Sequence, residues 1–437
     1  MSGLRRYEKY TASNVEWLGE VPDHWGVGIG KRIFRQIREA SKPDDEQLSA
    51  TQRYGVVPQQ LFMELEDQKV TLALTGLGNF KHVEKNDFVI SLRSFQGGIE
   101  ISRYVGCVSP AYTVLRAEGM IESKYWALLF KSEAYISVLQ SATDGIREGK
   151  TISYEQFGQI PLPVPPIVEQ RAIAAFLSGE TSKIDALVQE QERLIALLKE
   201  KRQAVISHAV TKGLDRNVSM KDSGIEWFGE VPEHWAVKAF RYVGTVNEGQ
   251  VNPQDSEHAS KVLVAPDHIE SGTGKLLAQI TAVEQGAVSG KYEVLPGQVI
   301  YSKIRPALNK VCLSEGHWLC SADMYPITPA AGILTKWMCY FMLSHSFVEY
   351  VSVTSQRVAM PKVNREELNT VPFVIPPTDE QEMIIDVLDN ETSQLATLIS
   401  EAEHAIQLLK ERRSALISAA VTGKIDVRKS VDEVVTT

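Results

Sequence analysis

Ten residues near the start of the chain, Glu16-Trp17-Leu18-Gly19-Glu20-Val21-Pro22-Asp23-His24-Trp25, return as Glu226-Trp227-Phe228-Gly229-Glu230-Val231-Pro232-Glu233-His234-Trp235 with two conservative changes. Chance does not produce such a match. Pro165-Pro166 followed by Glu169-Gln170 reappears as Pro376-Pro377 followed by Glu380-Gln381. Leu197-Leu198-Lys199-Glu200, Ile206-Ser207 and Ala209-Val210-Thr211 reappear as Leu408-Leu409-Lys410-Glu411, Ile417-Ser418 and Ala420-Val421-Thr422. The offset stays near 210 residues, so the 437-residue chain is two copies of one unit, and its fold must be built twice.

Each unit has two parts of different character. The first, about residues 25–163 and 235–374, mixes β-rich runs such as Asp87-Phe88-Val89-Ile90-Ser91-Leu92 with Gly and Pro turns and shorter helical stretches, the pattern of a compact α/β module. The second part is one continuous helix. The Pro pair breaks the preceding structure, and Glu in the following turn favours the positive end of a helix. Ile173, Leu177, Glu180, Ile184, Leu187, Gln191, Leu194, Leu198, Lys201 and Val205 follow the alternating three-and-four spacing of a heptad seam. Ile384, Leu388, Glu391, Leu395, Leu398, Ala402, Ala405, Leu409, Arg412 and Leu416 repeat it. No Gly or Pro interrupts either helix after Gly179.

Two such stripes in one chain most simply bury each other. The expected fold class is therefore α/β: two globular α/β domains in a tandem pseudo-repeat, separated by two long helices that form an antiparallel coiled coil. Because each module precedes its helix, that pairing would put the modules at opposite ends of the rod. The expected boundaries are 1–163 for the N-terminal segment and first domain, 164–214 for the central helix, 215–374 for the second domain, 375–425 for the C-terminal helix and 426–437 for a flexible tail. The modules differ far more than the frame does, as Arg93-Ser94-Phe95-Gln96-Gly97-Gly98 against Lys303-Ile304-Arg305-Pro306-Ala307 shows. A constant frame with two divergent heads reads two different things.

Chemistry-bearing motifs are scarce. The adenine methyltransferase signature needs Asn or Asp before Pro-Pro and an aromatic after it, whereas the Pro pairs here read Val164-Pro165-Pro166-Ile167 and Ile375-Pro376-Pro377-Thr378. Ser271-Gly272-Thr273-Gly274-Lys275-Leu276 fails as a phosphate loop, because Ile269 stands at the first glycine and Leu276 replaces the magnesium-binding hydroxyl. Leu74-Thr75-Gly76-Leu77-Gly78 is read as a turn. Cys107, Cys312, Cys320 and Cys339 form no C-x-x-C pair and have no His at ligand spacing, so buried thiols are expected rather than a metal site. No cofactor is expected. No run reaches the roughly 18 apolar residues of a membrane span, which points to a cytoplasmic protein. A net charge of -9 disfavours a non-specific nucleic-acid binder unless basic residues are locally concentrated or partners hold the backbone.

The order and duplication of Trp-x-Gly-Glu-Val-Pro-x-His-Trp, Pro-Pro-x-x-Glu-Gln and Leu-Leu-x-Glu-x-Arg resemble type I restriction-modification specificity subunits over essentially the whole chain. Val108-Ser109-Pro110-Ala111-Tyr112-Thr113-Val114-Leu115, Gly297-Gln298-Val299-Ile300-Tyr301-Ser302-Lys303-Ile304-Arg305-Pro306 and Cys320-Ser321-Ala322-Asp323-Met324-Tyr325-Pro326 resemble strand motifs of that family. The resemblance implies a non-catalytic reader of a split, asymmetric double-stranded DNA sequence. Each module would be a target-recognition domain for one half. The helices would set the gap and dock two modification (methyltransferase) subunits and, with them, restriction subunits. The rival reading is a helical scaffold joining protein partners, which explains the charge and the rod but not the divergent heads.

Base edges are read chiefly by Arg, Lys, Asn and Gln, and phosphates are held by Lys, Arg and hydroxyls. In the first module the candidates are Arg93, Ser94 and Gln96, followed by two glycines that permit close backbone approach, then Arg147 and Lys150, and Gln52, Arg53 and Tyr54. In the second they are Lys303, Arg305, Asn309 and Lys310, then Gln356, Arg357 and Lys362. Tyr112 and Tyr325 are taken as matched core residues, and Trp17, Trp25, Trp227 and Trp235 as structural or interface residues. If the modules specify independently, replacing residues 26–160 by the matching module of a relative changes one half of the recognised sequence only. A change in both halves, read by mapping methylated bases, contradicts two separate readers.

Overall fold

Each copy of the ten-residue motif supplies one strand of a short antiparallel ribbon, in the same register both times. Tyr10–Ala12 pairs with Glu20–Pro22, Thr11 opposite Val21, and Met220–Asp222 pairs with Glu230–Pro232, Lys221 opposite Val231. Gly19 and Gly229 precede the second strand with φ of 62° and 59°, a left-handed backbone that glycine adopts without a Cβ clash. The structure, a computed structural model, describes residues 5–66, 77–142, 152–355 and 361–428. It divides into two units, one of residues 1–190 with 405–437 and one of residues 191–404.

In the first unit, a central antiparallel sheet runs in the order Phe34–Ile37, Thr113–Ala117, Phe88–Ile90, Glu100–Ile101. In the second, Gly244–Val246, Met324–Pro329, Val299–Ser302 and Val311–Leu313 take the same order. Around these matching sheets the heads diverge. The first module adds a hairpin of Leu48–Thr51 and Gly55–Pro58. The second adds a three-stranded sheet in which Leu263–Val264 runs parallel to Trp318–Cys320. Each module's last strand lies against its first, Pro161–Val164 on Gly26–Ile29 and Pro372–Ile375 on Ala236–Ala239. That pairing delivers the chain to the Pro pair.

The long helices then follow without interruption, Ile167–Lys212 with 46 residues and Thr378–Val421 with 44. The second proline of the first pair caps its helix from outside: the Pro166 carbonyl accepts the N–H groups of Glu169 and Gln170 at 2.8 and 3.0 Å. The helices run antiparallel within each unit. In the first, Asp185 meets Arg413 at 2.9 Å, while Leu177 and Ile184 share a buried cluster with Leu416, Ala420 and Val421. In the second, Arg202 reaches the Thr392 carbonyl at 3.5 Å, and Ile206 and Val210 share a cluster with Ile384 and Leu388.

Part of the expected seam is shifted by one residue. Ile173, Leu177, Ile184, Gln191, Leu198 and Val205 hold, but beyond Leu177 the alternate positions are Thr181, Val188, Ile195 and Arg202, in place of Glu180, Leu187, Leu194 and Lys201. The second helix shows the same shift, to Thr392, Ile399 and Arg413 in place of Glu391, Leu398 and Arg412, while Ile384 stays buried and Ala405 and Ile406 are both half-buried. Leu187 and Leu398 are 52% and 47% exposed. Adjacent apolar pairs such as Leu187-Val188 and Leu194-Ile195 satisfy heptad spacing in either phase, so the pattern alone could not choose.

The repeated motifs meet at the start of each long helix. The Trp25 indole donates to Glu169 Oε2 at 2.8 Å, and His24 Nε2 lies 2.5 Å from Glu169 Oε1. Trp235 and His234 treat Glu380 the same way, at 2.8 and 2.6 Å. The next residue turns back onto the module: Gln170 accepts from the Trp126 indole at 3.1 Å, and Gln381 accepts the Leu334 N–H at 2.9 Å. In the first unit Glu169 also accepts from the Tyr7 hydroxyl at 3.1 Å and lies 3.8 Å from Arg428. Residues 5–10 and 423–428 are tied there by the Arg5–Asp426 bridge and by the Tyr10 hydroxyl on the Gly423 carbonyl at 3.1 Å. Of the expected tail, 426–428 belong to this contact and 429–437 lie outside the described residues.

Among the described residues, no helix is long and apolar enough to cross a membrane. All four cysteines are buried, and burial pushes the Cys107 and Cys339 thiols up to about 11 and 12. Removing the shared carboxylate tests the motif directly. Glu169→Ala leaves a buried indole N–H and a tyrosine hydroxyl without their acceptor, and the expected loss is about 2–4 kcal/mol in urea unfolding. Stability equal to that of the parent contradicts a structural role for the repeated Trp and Glu.

Candidate nucleic-acid interface

The strand Phe88–Ile90 ends in a tight turn, where the buried Ser94 hydroxyl, on a residue 1% exposed, accepts the Ser91 N–H at 2.8 Å. This turn leaves Arg93, just before the short helix Ser94–Gly97, and Gln96, on it, exposed. Beside it stands the tip of the Leu48–Thr51 and Gly55–Pro58 hairpin, closed by Thr51 Oγ1, which donates to the Gly55 carbonyl and accepts the Tyr54 N–H, both at 3.0 Å. The two candidate clusters thus form one groove of about 470 Å³, lined by Gln52, Arg53, Tyr54, Arg93, Tyr112 and Glu66 among others. Ser94 itself is spent on the turn.

A partly buried ion pair clamps the two segments. The Lys131 ammonium donates to the Gln52 carbonyl at 3.1 Å, to the Gly97 carbonyl at 2.9 Å and to Glu100. Burial pushes the Glu100 carboxyl up to about 7, against the pull of Lys131. Gly98 is needed, but for the protein's own approach, whereas a side chain at Gly97 would displace only the Gln52 side chain. A Cβ at Gly97 would lie 2.6 Å from Gln52 Cδ, and one at Gly98 would overlap the Phe130 carbonyl. Across the groove the Arg53 guanidinium stacks on Tyr54 at 5.3 Å, and the Tyr54 hydroxyl donates to Glu66 at 2.9 Å.

In the second module Val299–Ser302 is the equivalent strand, and Lys303 follows it directly. Segment 303–305 is held against 361–363 by the Ile304–Lys362 bridge, with the Lys303 carbonyl accepting the Val363 N–H at 2.8 Å and the Pro361 carbonyl accepting the Arg305 N–H at 2.9 Å. This brings Lys303, Arg305 and Lys362 together. Lys303 is only 8% exposed, with its ammonium 5.0 Å from the Tyr325 ring centroid. Burial lowers its pKa, as do the neighbouring cations Lys362 and Arg365. Arg365 reaches over the Tyr325 and Tyr292 rings at 5.8 and 6.0 Å and bonds Glu248 at 3.0 Å.

The remaining candidates divide differently. Asn309 is 7% exposed and donates to the Leu343 carbonyl at 3.0 Å, and Lys310 donates to the Ile269 carbonyl, so both brace the module. Arg147, Lys150, Gln356 and Arg357 lie outside the described residues, as do Leu74, Thr75 and Gly76. The Ser271–Lys275 segment is a hairpin turn closed by the Ile269–Leu276 bridge and the Glu270 N–H on the Lys275 carbonyl at 2.9 Å. Arg202 holds that turn through the Thr273 carbonyl at 2.8 Å.

Tyr112 and Tyr325 are not matched. Thr113 faces Ile90 in the first sheet, and Tyr325 faces Tyr301 in the second, so Tyr325 corresponds to Thr113. A one-residue difference places the side chains on opposite faces, which is why Tyr112 lines the groove and Tyr325 is buried. Lys131, Glu66, Tyr292 and Arg365 escaped the sequence reading. Arg365 stands three residues beyond Lys362 and could have been joined to that cluster; Lys131 and Glu66 acquire their partners only through folding.

The family model "Type I restriction modification DNA specificity domain" matches residues 27–195 and 232–407. The chain is 27% identical to the type I restriction enzyme EcoDI specificity subunit of Escherichia coli, over 75% of this chain and 76% of that protein. It is 21% identical to the putative type I restriction enzyme MjaX specificity subunit of Methanocaldococcus jannaschii, over 97% and 99%. A solved chain described with complex assembly and conformational transition of the type I R-M system superposes with a TM-score of 0.68 at 14% identity, covering 92% of this chain and 98% of that one. The HsdS subunit from Thermoanaerobacter tengcongensis superposes with a TM-score of 0.53 at 14% identity, over 93% and 98%. Two matched segments, two sheets of one topology and two long antiparallel helices agree: the chain belongs to the type I restriction-modification DNA specificity family and carries its domain twice.

Proposed function

We propose that this specificity subunit reads a bipartite, asymmetric double-stranded DNA sequence, one half per module, and catalyses nothing itself. One observation carries this: equivalent strands of two sheets of the same order end in different polar clusters, Arg93 with Gln52, Arg53 and Tyr54 in one and Lys303, Arg305 and Lys362 in the other. One scaffold presenting two chemistries at the same place is what two half-sites require. The local grouping of cations also answers the net charge of -9. The domain limits proposed for the two readers are 1–163 and 215–374, with the helices at 164–214 and 375–425. Those helices dock two modification subunits, and restriction subunits join through them in the cytoplasm. A pure scaffold would have no use for exposed cations at matched strand ends.

Base contact and phosphate contact leave different signatures. Arg93→Ala and Arg305→Ala are expected to weaken specific binding by about 1–3 kcal/mol and to relax discrimination at one position each. Lys362→Ala is expected to weaken all sequences alike and to flatten the salt dependence. Competition binding at several salt concentrations separates the two, and three variants indistinguishable from the parent would remove both clusters from the interface.

A further inference from the structure

A carboxylate in a DNA groove needs a reason, because phosphates repel it. Glu66 ends the helix Gln59–Glu66 and lines the groove with Arg53, Tyr54 and Arg93. Its internal partners use one oxygen only: the Tyr54 hydroxyl donates to Oε1 at 2.9 Å, and Arg53 lies 3.6 Å from the same atom. Among the described residues no donor reaches Oε2. The side chain is thus anchored and still holds an open acceptor, beside arginines that carry unspent donors.

We infer that Glu66 is a specificity-determining residue that accepts the exocyclic amino group of a cytosine, while an arginine of the same groove donates to the paired guanine. The assignment rests on the DNA-reading role proposed above. Its physical basis is the major-groove edge. Only cytosine N4 and adenine N6 offer donors there, and adenine sets its N7 acceptor beside N6, where a carboxylate is repelled. Guanine O6 and N7 are the preferred acceptors for arginine. An anchored carboxylate next to arginine donors therefore fits a G·C pair and no other. The Tyr54 hydroxyl is the positioning group, since it fixes Oε1 and leaves Oε2 open.

The test uses the full-length chain with its modification subunits and duplexes in which each recognised base pair is varied in turn. The parent is expected to require G·C at one position of the half-site read by the first module. Glu66→Gln keeps the shape but gains a donor that suits adenine N7. It is expected to lose about 5- to 100-fold in preference for G·C at that position and to shift toward A·T, with the other positions and non-specific binding unchanged. Tyr54→Phe, which keeps the packing, is expected to lose part of the same preference at the same position. A gain by Glu66→Gln on every duplex alike would make Glu66 a mere phosphate repellent and overturn the inference. Unchanged discrimination would overturn it equally. A parent without any sequence preference would instead bring down the DNA-reading role on which it stands.

Discussion

A hydrogen bond from a buried indole to a carboxylate in the first turn of a long helix decides how this chain is organised. Trp25 donates to Glu169 and Trp235 to Glu380, each at 2.8 Å, and each carboxylate also meets the histidine before its tryptophan. Glu169 is buried and Glu380 half-buried, and a carboxylate withdrawn from water is costly unless its oxygens are satisfied, so these contacts support one another. They join three stretches distant in sequence: the opening ribbon, the end of the module and the helix start. The adjacent Gln170 and Gln381 bind the helix start to the module's own helices and loops. The module is thereby anchored at its base, while its strand ends remain free to vary.

The second constraint is the seam, which mixes apolar and polar positions. Thr181 and Thr392 stand at equivalent places and turn their hydroxyls onto the carbonyls of Leu177 and Leu388, four residues back, at 2.7 and 2.6 Å. Arg202 and Arg413 are likewise equivalent but have diverged in use. Arg413 pairs with Asp185, whereas Arg202, its guanidinium pKa lowered by burial, holds the turn at Thr273 of the second module. The same arginine in the frame thus serves a general role in one unit and a module-specific one in the other.

What the sequence showed followed from repetition. A duplicated motif marks equivalent places whatever their structure, so the two modules, the two long helices and the division between constant frame and divergent heads were all legible. Patterns of short range were legible too, and the Ser271–Lys275 segment, rejected as a phosphate loop, is a hairpin turn. Two kinds of information were not. Phase was hidden in the seam because Leu187-Val188 offers two apolar choices, and in the strand because aligning Tyr112 with Tyr325 misses the true partner Thr113 by one residue. Long-range partnership was hidden altogether. Nothing local distinguishes Asn309, turned inward onto Leu343, from Arg305, four residues before it and exposed. Nor does anything local join Lys131 to Gln52 or Glu66 to Tyr54.

The central claim is that two heads of one topology read two different half-sites. The most direct measurement is selection of bound duplexes from a random pool by the full chain with its modification subunits, followed by sequencing of the retained DNA. The account predicts two unlike short motifs separated by a gap of fixed length whose bases are unconstrained. A single continuous motif, or two copies of the same motif, would contradict it.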